Sequence, residues 1–115
     1  MKRLLGIVIV VAVLLAIPSY AFLMRNIDVY PDITFSGSEA ICSVCIYGDL
    51  MTDQISATMV LKRGNTLIGS WSANDVGILE MEEFATVSRN KTYTLTVNYS
   101  VNGITQDPVT ISRTN

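Results

Sequence analysis

Hydrophobic and polar residues alternate with a period of two along most of the chain after residue 24, and helical periodicity is nearly absent there. This alternation is typical of antiparallel β-strands that bury one face. The clearest strand is TYTLTVNYSV (Thr92–Val101), followed at once by Asn102-Gly103. Because both of these residues tolerate a positive φ, they favour a tight type I′ hairpin turn. The predicted buried face of this strand consists of Tyr93, Leu95, Val97, Tyr99 and Val101.

The same pattern predicts six further strands separated by turn residues. In the strand at 78–87 the alternation is interrupted, because Glu83 falls on the side of the apolar residues. A β-bulge there that turns Phe84 inward would restore the pattern. The polar stretch 72–76 is predicted to be a loop, and Pro108 indicates an edge position or a bulge in the last strand. The six predicted strands span 27–36, 40–47, 54–62, 66–71, 78–87 and 104–113.

About seven short strands in one small domain predict an all-β fold, an antiparallel β-sandwich of the immunoglobulin or fibronectin type. Tyr93 opens its strand just after the polar corner 88–92, where the hydroxyl of a tyrosine corner would lie. Cys42 has no partner cysteine in the strand Thr92–Val101, so the disulfide of true immunoglobulin domains is excluded. Trp71 is predicted to be the large core residue between the sheets. The predicted core residues are Trp71, Tyr93, Leu95, Val97 and Tyr99.

The N-terminus has the layout of a secretory signal peptide. Lys2 and Arg3 form a short positive start before the uncharged apolar run 4–17. The small residues Ser19 and Ala21 then occupy the two positions that a signal peptidase recognises. This layout predicts that the chain is exported.

We therefore predict a signal-peptide helix at 1–21, cleavage between Ala21 and Phe22, and a β-sandwich domain at 22–115. The alternative is an uncleaved anchor that continues to residue 24, which would be long enough to span a membrane. Pro18 argues against this alternative, because proline removes a helix hydrogen bond. Secretion and anchoring at the outer face of the membrane both place the domain outside the cytoplasm.

Three segments resemble a group of small exported proteins of Gram-positive bacteria that have no assigned function. These segments are ISATMVLKRG (55–64), SWSANDVG (70–77) and ATVSRNKTYTLTVNYSVNG (85–103). They cover most of the chain after the leader, but they consist of strands and turns and carry no catalytic residues. The resemblance implies bacterial export and a β-rich fold, and it transfers no functional residue.

Charge and composition exclude several functions. Without residues 1–21, six Lys and Arg remain against ten Asp and Glu, which gives a net charge near −4. Such a domain is a poor partner for nucleic acid and for anionic membrane surfaces. The absence of histidine excludes Ser-His and Cys-His nucleophiles and histidine metal sites. We predict no catalytic residue, no cofactor and no metal site.

Cys42 and Cys45 lie in a predicted strand, where three residues of extended chain separate their Cα atoms by about 10 Å. A disulfide requires about 7 Å or less, so two free thiols are predicted, with Cys45 the more exposed. The cluster of Glu80, Glu82 and Glu83 is interpreted as a solvated strand face that prevents pairing with other chains. Asp49, Asp53 and Asp75 are predicted to be ordinary turn residues, because their spacing matches no calcium-binding loop. The outer threonines Thr92, Thr94 and Thr96 are interpreted as a strand surface, and the aromatics Tyr30, Phe35 and Tyr47 as core or edge residues; a polysaccharide site on either set is the alternative.

These observations favour a small, secreted, non-enzymatic β-sandwich that binds an extracellular protein, a cell-surface polymer or a second copy of itself. The alternative is a secreted effector or antimicrobial-type protein that acts on neighbouring cells. The acidic charge argues against a membrane-disrupting cationic peptide. Membrane contact is expected only through an uncleaved N-terminal segment.

Overall fold

The computed structural model describes residues 26–115, so the predicted leader 1–21 and the cleavage position between Ala21 and Phe22 lie outside the described residues. The described part consists of strands and turns and contains no helix. Its eight strands are β1 (Asp28–Ser36), β2 (Glu39–Tyr47), β3 (Gln54–Arg63), β4 (Thr66–Val76), β5 (Ile78–Thr86), β6 (Thr92–Val101), β7 (Ile104–Thr105) and β8 (Val109–Thr114).

The strands form two antiparallel sheets that pack face to face. The smaller sheet has the order β1-β2-β5, and the larger has the order β4-β3-β6, with β7 and β8 both paired to β6. In the lettering of immunoglobulin-like domains these are strands A-B-E against C′-C-F-G. The predicted antiparallel β-sandwich is confirmed, with eight strands instead of about seven.

The core lies between the inward faces of the central strands. Alternate residues of β2, β3 and β6 are fully or almost fully buried, and they interdigitate with apolar residues of β1 and β5. Among residues 26–115, the buried cluster runs from Ile33 to Val97, and the apolar residues packed against it run from Ile27 to Ile111. Because both sheets contribute to this cluster, we expect the chain without its leader to fold independently. The buried residues of the three central strands are Ala40, Cys42, Val44, Ile46, Ile55, Ala57, Met59, Leu61, Tyr93, Leu95, Val97 and Val101.

Tyr93 closes a tyrosine corner at the beginning of β6. Its ring is fully buried, and the Ser88 backbone N–H donates a hydrogen bond of 2.6 Å to the Tyr93 hydroxyl oxygen. Burial opposes ionisation of this phenol, but the hydrogen bonds from Ser88 and Arg63 outweigh it and lower the pKa of Tyr93. Phe35 is partly buried and packs against Tyr93, with 5.8 Å between the ring centroids.

Trp71 and Tyr99 lie at the margin of the core. Both are partly buried and pack against the buried cluster. Trp71 belongs to the edge strand β4, and its indole covers Gly69, where a Cβ atom would lie 2.5 Å from ring carbons. A glycine is needed at this position because the ring occupies the space of any side chain. Burial, and to a lesser extent the charge of Asp107, raises the pKa of Tyr99.

Two predictions of strand boundaries were wrong. The stretch 72–76 is not a loop, because its backbone pairs with β3 from Gln54 to Thr58 and thereby continues β4 to Val76. The predicted return strand 104–113 is divided into β7 and β8 around Pro108, which has no N–H to donate to a ladder. The preceding hairpin has positive φ at both turn residues, 52° at Asn102 and 80° at Gly103.

The predicted bulge in β5 is also absent. The β2–β5 register runs without interruption from Glu39↔Thr86 to Tyr47↔Ile78. Since side chains alternate strictly in an uninterrupted ladder, Glu83 stays on the inner side, where it is half-buried, and Phe84 is 55% exposed on the outer side. The cross-strand pairing therefore outweighs the local preference for burying phenylalanine.

Candidate functional site

The two outer faces of the sandwich differ in chemistry, although both arise from the same strand alternation. The outside of the smaller sheet combines exposed aromatic rings with carboxylates, a composition that marks interaction surfaces. We call it the acidic aromatic face. Its fifteen residues are Asp28, Tyr30, Asp32, Thr34 and Ser36 from β1, Glu39, Ile41, Ser43, Cys45 and Tyr47 from β2, and Ile78, Glu80, Glu82, Phe84 and Thr86 from β5.

Three aromatic rings project from this face. Tyr30 is 59% exposed, and Tyr47 and Phe84 are also open to solvent. The rings of Tyr30 and Tyr47 meet edge to face, with centroids 5.8 Å apart and an interplanar angle of 79°. The two tyrosine rings therefore pack against each other and form one exposed aromatic surface. A shallow groove beside it is lined by Tyr30, Ser43, Cys45, Glu80 and Glu82.

The charged residues of the acidic aromatic face are all negative. Five of its fifteen residues are Asp or Glu and none is Lys or Arg. The guanidinium of Arg113 reaches in from β8 and lies 3.2 Å from the Asp32 carboxylate, but both side chains are about half exposed. Exposed pairs of this kind contribute little, and four carboxylates of the face remain apart from that ion pair.

The two cysteines lie on opposite sides of β2. Cys42 is buried in the core, and burial raises the pKa of its thiol to about 11. Cys45 is partly exposed, with its sulfur 3.9 Å from the Glu80 carboxylate. The pKa of Tyr47 is raised by a hydrogen bond with Cys45 and by the negative charge of Glu80.

We expect a thiol reagent to modify Cys45, but not Cys42, in the folded protein at neutral pH. Cys42 is inaccessible and keeps its proton, whereas the reactive form of a cysteine is the exposed thiolate. Intact mass after labelling without reductant would show one adduct under native conditions and two after unfolding. A Cys45→Ser variant that is still labelled in the native state, or a wild-type chain without labelling after unfolding, would contradict this arrangement.

The outer face of the larger sheet carries hydroxyl and amide groups. We call it the hydroxyl face; Lys62 is its one charged residue on the paired strands. Hydroxyls on neighbouring strands bond to one another, for example Thr58 to Ser72 at 2.7 Å. Further pairs are Thr92–Thr114 at 2.7 Å, Thr94–Ser112 at 2.9 Å and Thr96–Thr110 at 3.3 Å. These cross-strand bonds satisfy much of the polar capacity of the face.

A buried carboxylate was missed at the sequence level. Asp53, which the sequence predicts to be an ordinary turn residue, is 1% exposed. Its two oxygens accept hydrogen bonds of 3.0 Å from the Leu50 N–H and from the Asn102 side-chain amide. A Cβ at Gly48 would lie 3.0 Å from the Asp53 side chain, so the loop closes tightly around this carboxylate. Asp53 therefore ties the β2–β3 loop to the β6–β7 turn.

The other candidate carboxylates remain at the surface. Glu80 and Glu82 share the outer face of β5, as their spacing predicted, whereas Glu83 is on the inner side. Asp49 and Asp75 are exposed. Within residues 26–115, no three His, Cys, Asp or Glu side chains are grouped so that they would hold a metal ion.

The fold defines an immunoglobulin-like β-sandwich, and known structures share it. Beta-glucuronidase 2 of Bacteroides uniformis is similar over 77% of this chain, with 12% identity and a TM-score of 0.51. The chain spans 13% of that enzyme, and the likeness concerns the fold alone.

Two smaller proteins are similar over most of their length. The sensor domain of the anti-sigma factor RsgI4 of Pseudobacteroides cellulosolvens matches 78% of this chain and 94% of its own, at 12% identity and a TM-score of 0.47. CsgH of R. palustris matches 76% of this chain and 90% of its own, at 10% identity and a TM-score of 0.40. Because both TM-scores are below 0.5, neither likeness supports a statement about this chain.

Neither a protein-family model nor a curated protein sequence matches the chain. The resemblance to small exported proteins of Gram-positive bacteria stays a prediction. Residues 26–115 include no helix that is long and apolar enough to cross a membrane.

Proposed function

We propose that this chain is an exported, non-enzymatic binding module that holds a positively charged segment of another extracellular protein on its acidic aromatic face. The observation that carries this proposal is the composition of that face, which combines three exposed aromatic rings and five carboxylates without an opposing Lys or Arg of its own. The signal-peptide layout of residues 1–21 supports export.

The aromatic rings and the carboxylates suit the two parts of a lysine or arginine side chain. The aliphatic stem packs on an exposed ring, where the cation also gains a cation–π attraction to Tyr30 or Phe84. The charged end then pairs with Glu80 or Glu82 beside the groove. Small residues at Ser43 and Cys45 leave room between the Tyr30 ring and these carboxylates. An extended cationic segment therefore fits the face along a strand.

The placement of the glutamates supports binding rather than catalysis. Glu80 and Glu82 project from an open sheet surface, whereas catalytic carboxylate pairs act on a substrate held between them in a cleft. The same open surface suits a polypeptide partner, because protein interfaces are broad and draw much of their affinity from a few aromatic and charged residues.

The proposal is testable with purified residues 22–115 and a fluorescent decaarginine peptide, with a decaglutamate peptide as the negative control. Fluorescence anisotropy at low salt should show binding of decaarginine only. The variant Tyr30→Ser/Phe84→Ser leaves the net charge unchanged, so a loss of about tenfold in affinity reports the aromatic contacts. Glu80→Gln/Glu82→Gln should weaken binding and reduce its salt dependence.

A matched control is Leu67→Ser/Val76→Ser, which removes two exposed apolar side chains from the edge strand of the other sheet. This variant should bind decaarginine as the wild type does. Equal affinity of the Tyr30/Phe84 variant and this control would show that only diffuse charge attracts the peptide, and the proposed site would be wrong.

A second candidate is a cell-surface polymer bound on the hydroxyl face. It is favoured by a shallow groove lined by Ser56, Thr58, Ser72, Asn74, Asn98 and Ser100. Their uncharged donors and acceptors suit a neutral polysaccharide. Retention of the domain on purified cell wall, lost in Asn74→Ala/Asn98→Ala but kept in Tyr30→Ser/Phe84→Ser, would favour this candidate.

A further inference from the structure

The positive charges of the described part are concentrated at one end of the sandwich, where Glu39 at the start of β2 also lies. All five Lys and Arg residues of the described part fall at the end where β3 leads into β4, β5 into β6, and β8 ends. We call this the basic end; its residues are Lys62, Arg63, Arg89, Lys91 and Arg113. The opposite end, where β1 begins and β2 leads into β3, holds no Lys or Arg among the described residues. We call it the acidic end; its residues are Asp28, Asp49, Asp53, Asp75 and Asp107.

The basic end is held by hydrogen bonds that connect its loops. Asn90 N–H donates to the Asn115 carbonyl at 3.1 Å, and Asn115 N–H donates to the Lys91 carbonyl at 3.0 Å. The Asn115 side chain also donates to the Gly37 carbonyl at 2.8 Å. Arg89 and Lys91 therefore project from a fixed frame that joins both sheets. Leu67, 58% exposed on β4, adds an apolar residue near this end.

The acidic end exposes apolar side chains among its carboxylates. Met51 is 72% exposed and Leu50 is 54% exposed at the tip of the β2–β3 loop, and Val76 and Ile104 are also open to solvent. The loop is not loose, because the Gly48 N–H donates to the Gly77 carbonyl and the Gly77 N–H donates to the Asp53 carbonyl, both at 2.8 Å. An apolar centre with a charged rim is the usual anatomy of a protein interface.

From this charge complementarity we propose that the chain associates head to tail with a second copy of itself. The acidic end of one copy, with Leu50 and Met51 at its centre, lies on the basic end of the next. A second copy of the chain thereby explains the charge of both ends. An anionic polymer would explain the charge of the basic end alone. Contacts between two different surfaces of the same protein extend into open chains. The acidic end shares only Asp28 with the acidic aromatic face.

The association should be weak and strongly dependent on salt, because its charged groups are exposed and are screened within about 10 Å at 0.1 M salt. Sedimentation velocity of residues 22–115 tests it in a concentration series at low and at high ionic strength. The average mass should rise above that of the monomer with concentration at low salt and return to that of the monomer at high salt.

Two variants, each of which removes the net charge of one end, make the test specific. Arg89→Glu/Lys91→Glu cancels the charge of the basic end, because the two new glutamates and Glu39 balance Lys62, Arg63 and Arg113. Asp28→Lys/Asp107→Lys nearly cancels the charge of the acidic end, because the two new lysines stand against Asp49, Asp53 and Asp75. Each variant alone should be monomeric at low salt. An equimolar mixture should associate again, because the acidic end of one variant meets the basic end of the other, and this recovery also shows that both variants are folded.

Several outcomes would overturn the proposal. A wild-type chain that stays monomeric at low salt, or a variant that associates alone as the wild type does, would exclude head-to-tail contact. A monomeric wild type that is retained on polyphosphate, with retention lost in Arg89→Glu/Lys91→Glu, would instead identify the basic end as a polyanion site. Decaarginine binding to the acidic aromatic face should survive Arg89→Glu/Lys91→Glu, so failure of either proposal is distinguishable from failure of the other.

Discussion

Replacing Leu95 by alanine should lower the free energy of unfolding by about 2–5 kcal/mol, because the lost side chain leaves a cavity in the core. Leu95 is fully buried near the middle of β6, between Leu61 of β3 and Ile111 of β8. The expected loss is a large share of the roughly 5–15 kcal/mol that stabilises a typical domain. Urea unfolding of residues 22–115, followed by circular dichroism, would measure it.

The neighbouring Thr96 provides the control for this prediction. Its side chain points to the hydroxyl face, where its hydroxyl lies 3.3 Å from that of Thr110. Thr96→Ala should cost less than about 1 kcal/mol, which is the full span of strand propensity. Equal destabilisation by Leu95→Ala and Thr96→Ala would mean that the register of β6 is wrong, and with it the sandwich built on that strand.

Replacing Asp53 by alanine should also destabilise the fold strongly, by about 2–5 kcal/mol. The substitution removes the acceptor of two hydrogen bonds, from the Leu50 N–H and from the Asn102 side-chain amide, and a hydrogen bond to a charged group contributes about 1.5–3 kcal/mol. Asn102 would also be less firmly held for its bond with the Gln54 N–H, which spans 2.8 Å. Urea unfolding of residues 22–115 measures this loss.

Two further substitutions show whether hydrogen bonding is the cause. Asp53→Asn keeps one acceptor oxygen but turns an amide N–H₂ toward the other donor, so its cost should lie between those of the wild type and Asp53→Ala. Asp107→Asn removes an exposed charge at the same end of the sandwich and should change stability by less than about 0.5 kcal/mol. A loss for Asp53→Ala as small as that for Asp107→Asn would disprove the anchoring role.

Local pattern was sufficient to predict most of the fold. The alternation in TYTLTVNYSV determines which residues face inward, and Tyr93, Leu95 and Val97 are fully buried. Asn102-Gly103 predicts a turn by its tolerance of positive φ, and both residues have it. These properties depend on near neighbours along the chain, since a strand alternates its faces whatever lies beside it.

Hydrogen bonding between neighbouring strands decided the features of the fold that the local pattern did not predict. The polar stretch 72–76 is a strand because β3 supplies hydrogen-bonding partners for its backbone. Glu83 faces inward and Phe84 outward because the ladder with β2 admits no extra residue. In both cases the backbone hydrogen bonds of a neighbouring strand outweigh the preference of a side chain for water or for the core.

The candidate sites also depend partly on local sequence pattern and partly on long-range strand pairing. The composition of each strand determines that one face carries carboxylates and aromatic rings and another carries hydroxyls. Only the sheet order brings Tyr30, Tyr47 and Phe84 onto one surface, because β1, β2 and β5 are neighbours in space and β5 is distant along the chain. One hydrogen bond to the buried Asp53 carboxylate comes from Asn102, 49 residues away. The sequence therefore determines which side chains each strand presents, whereas the tertiary structure decides which strands lie together and so which of those side chains form a site.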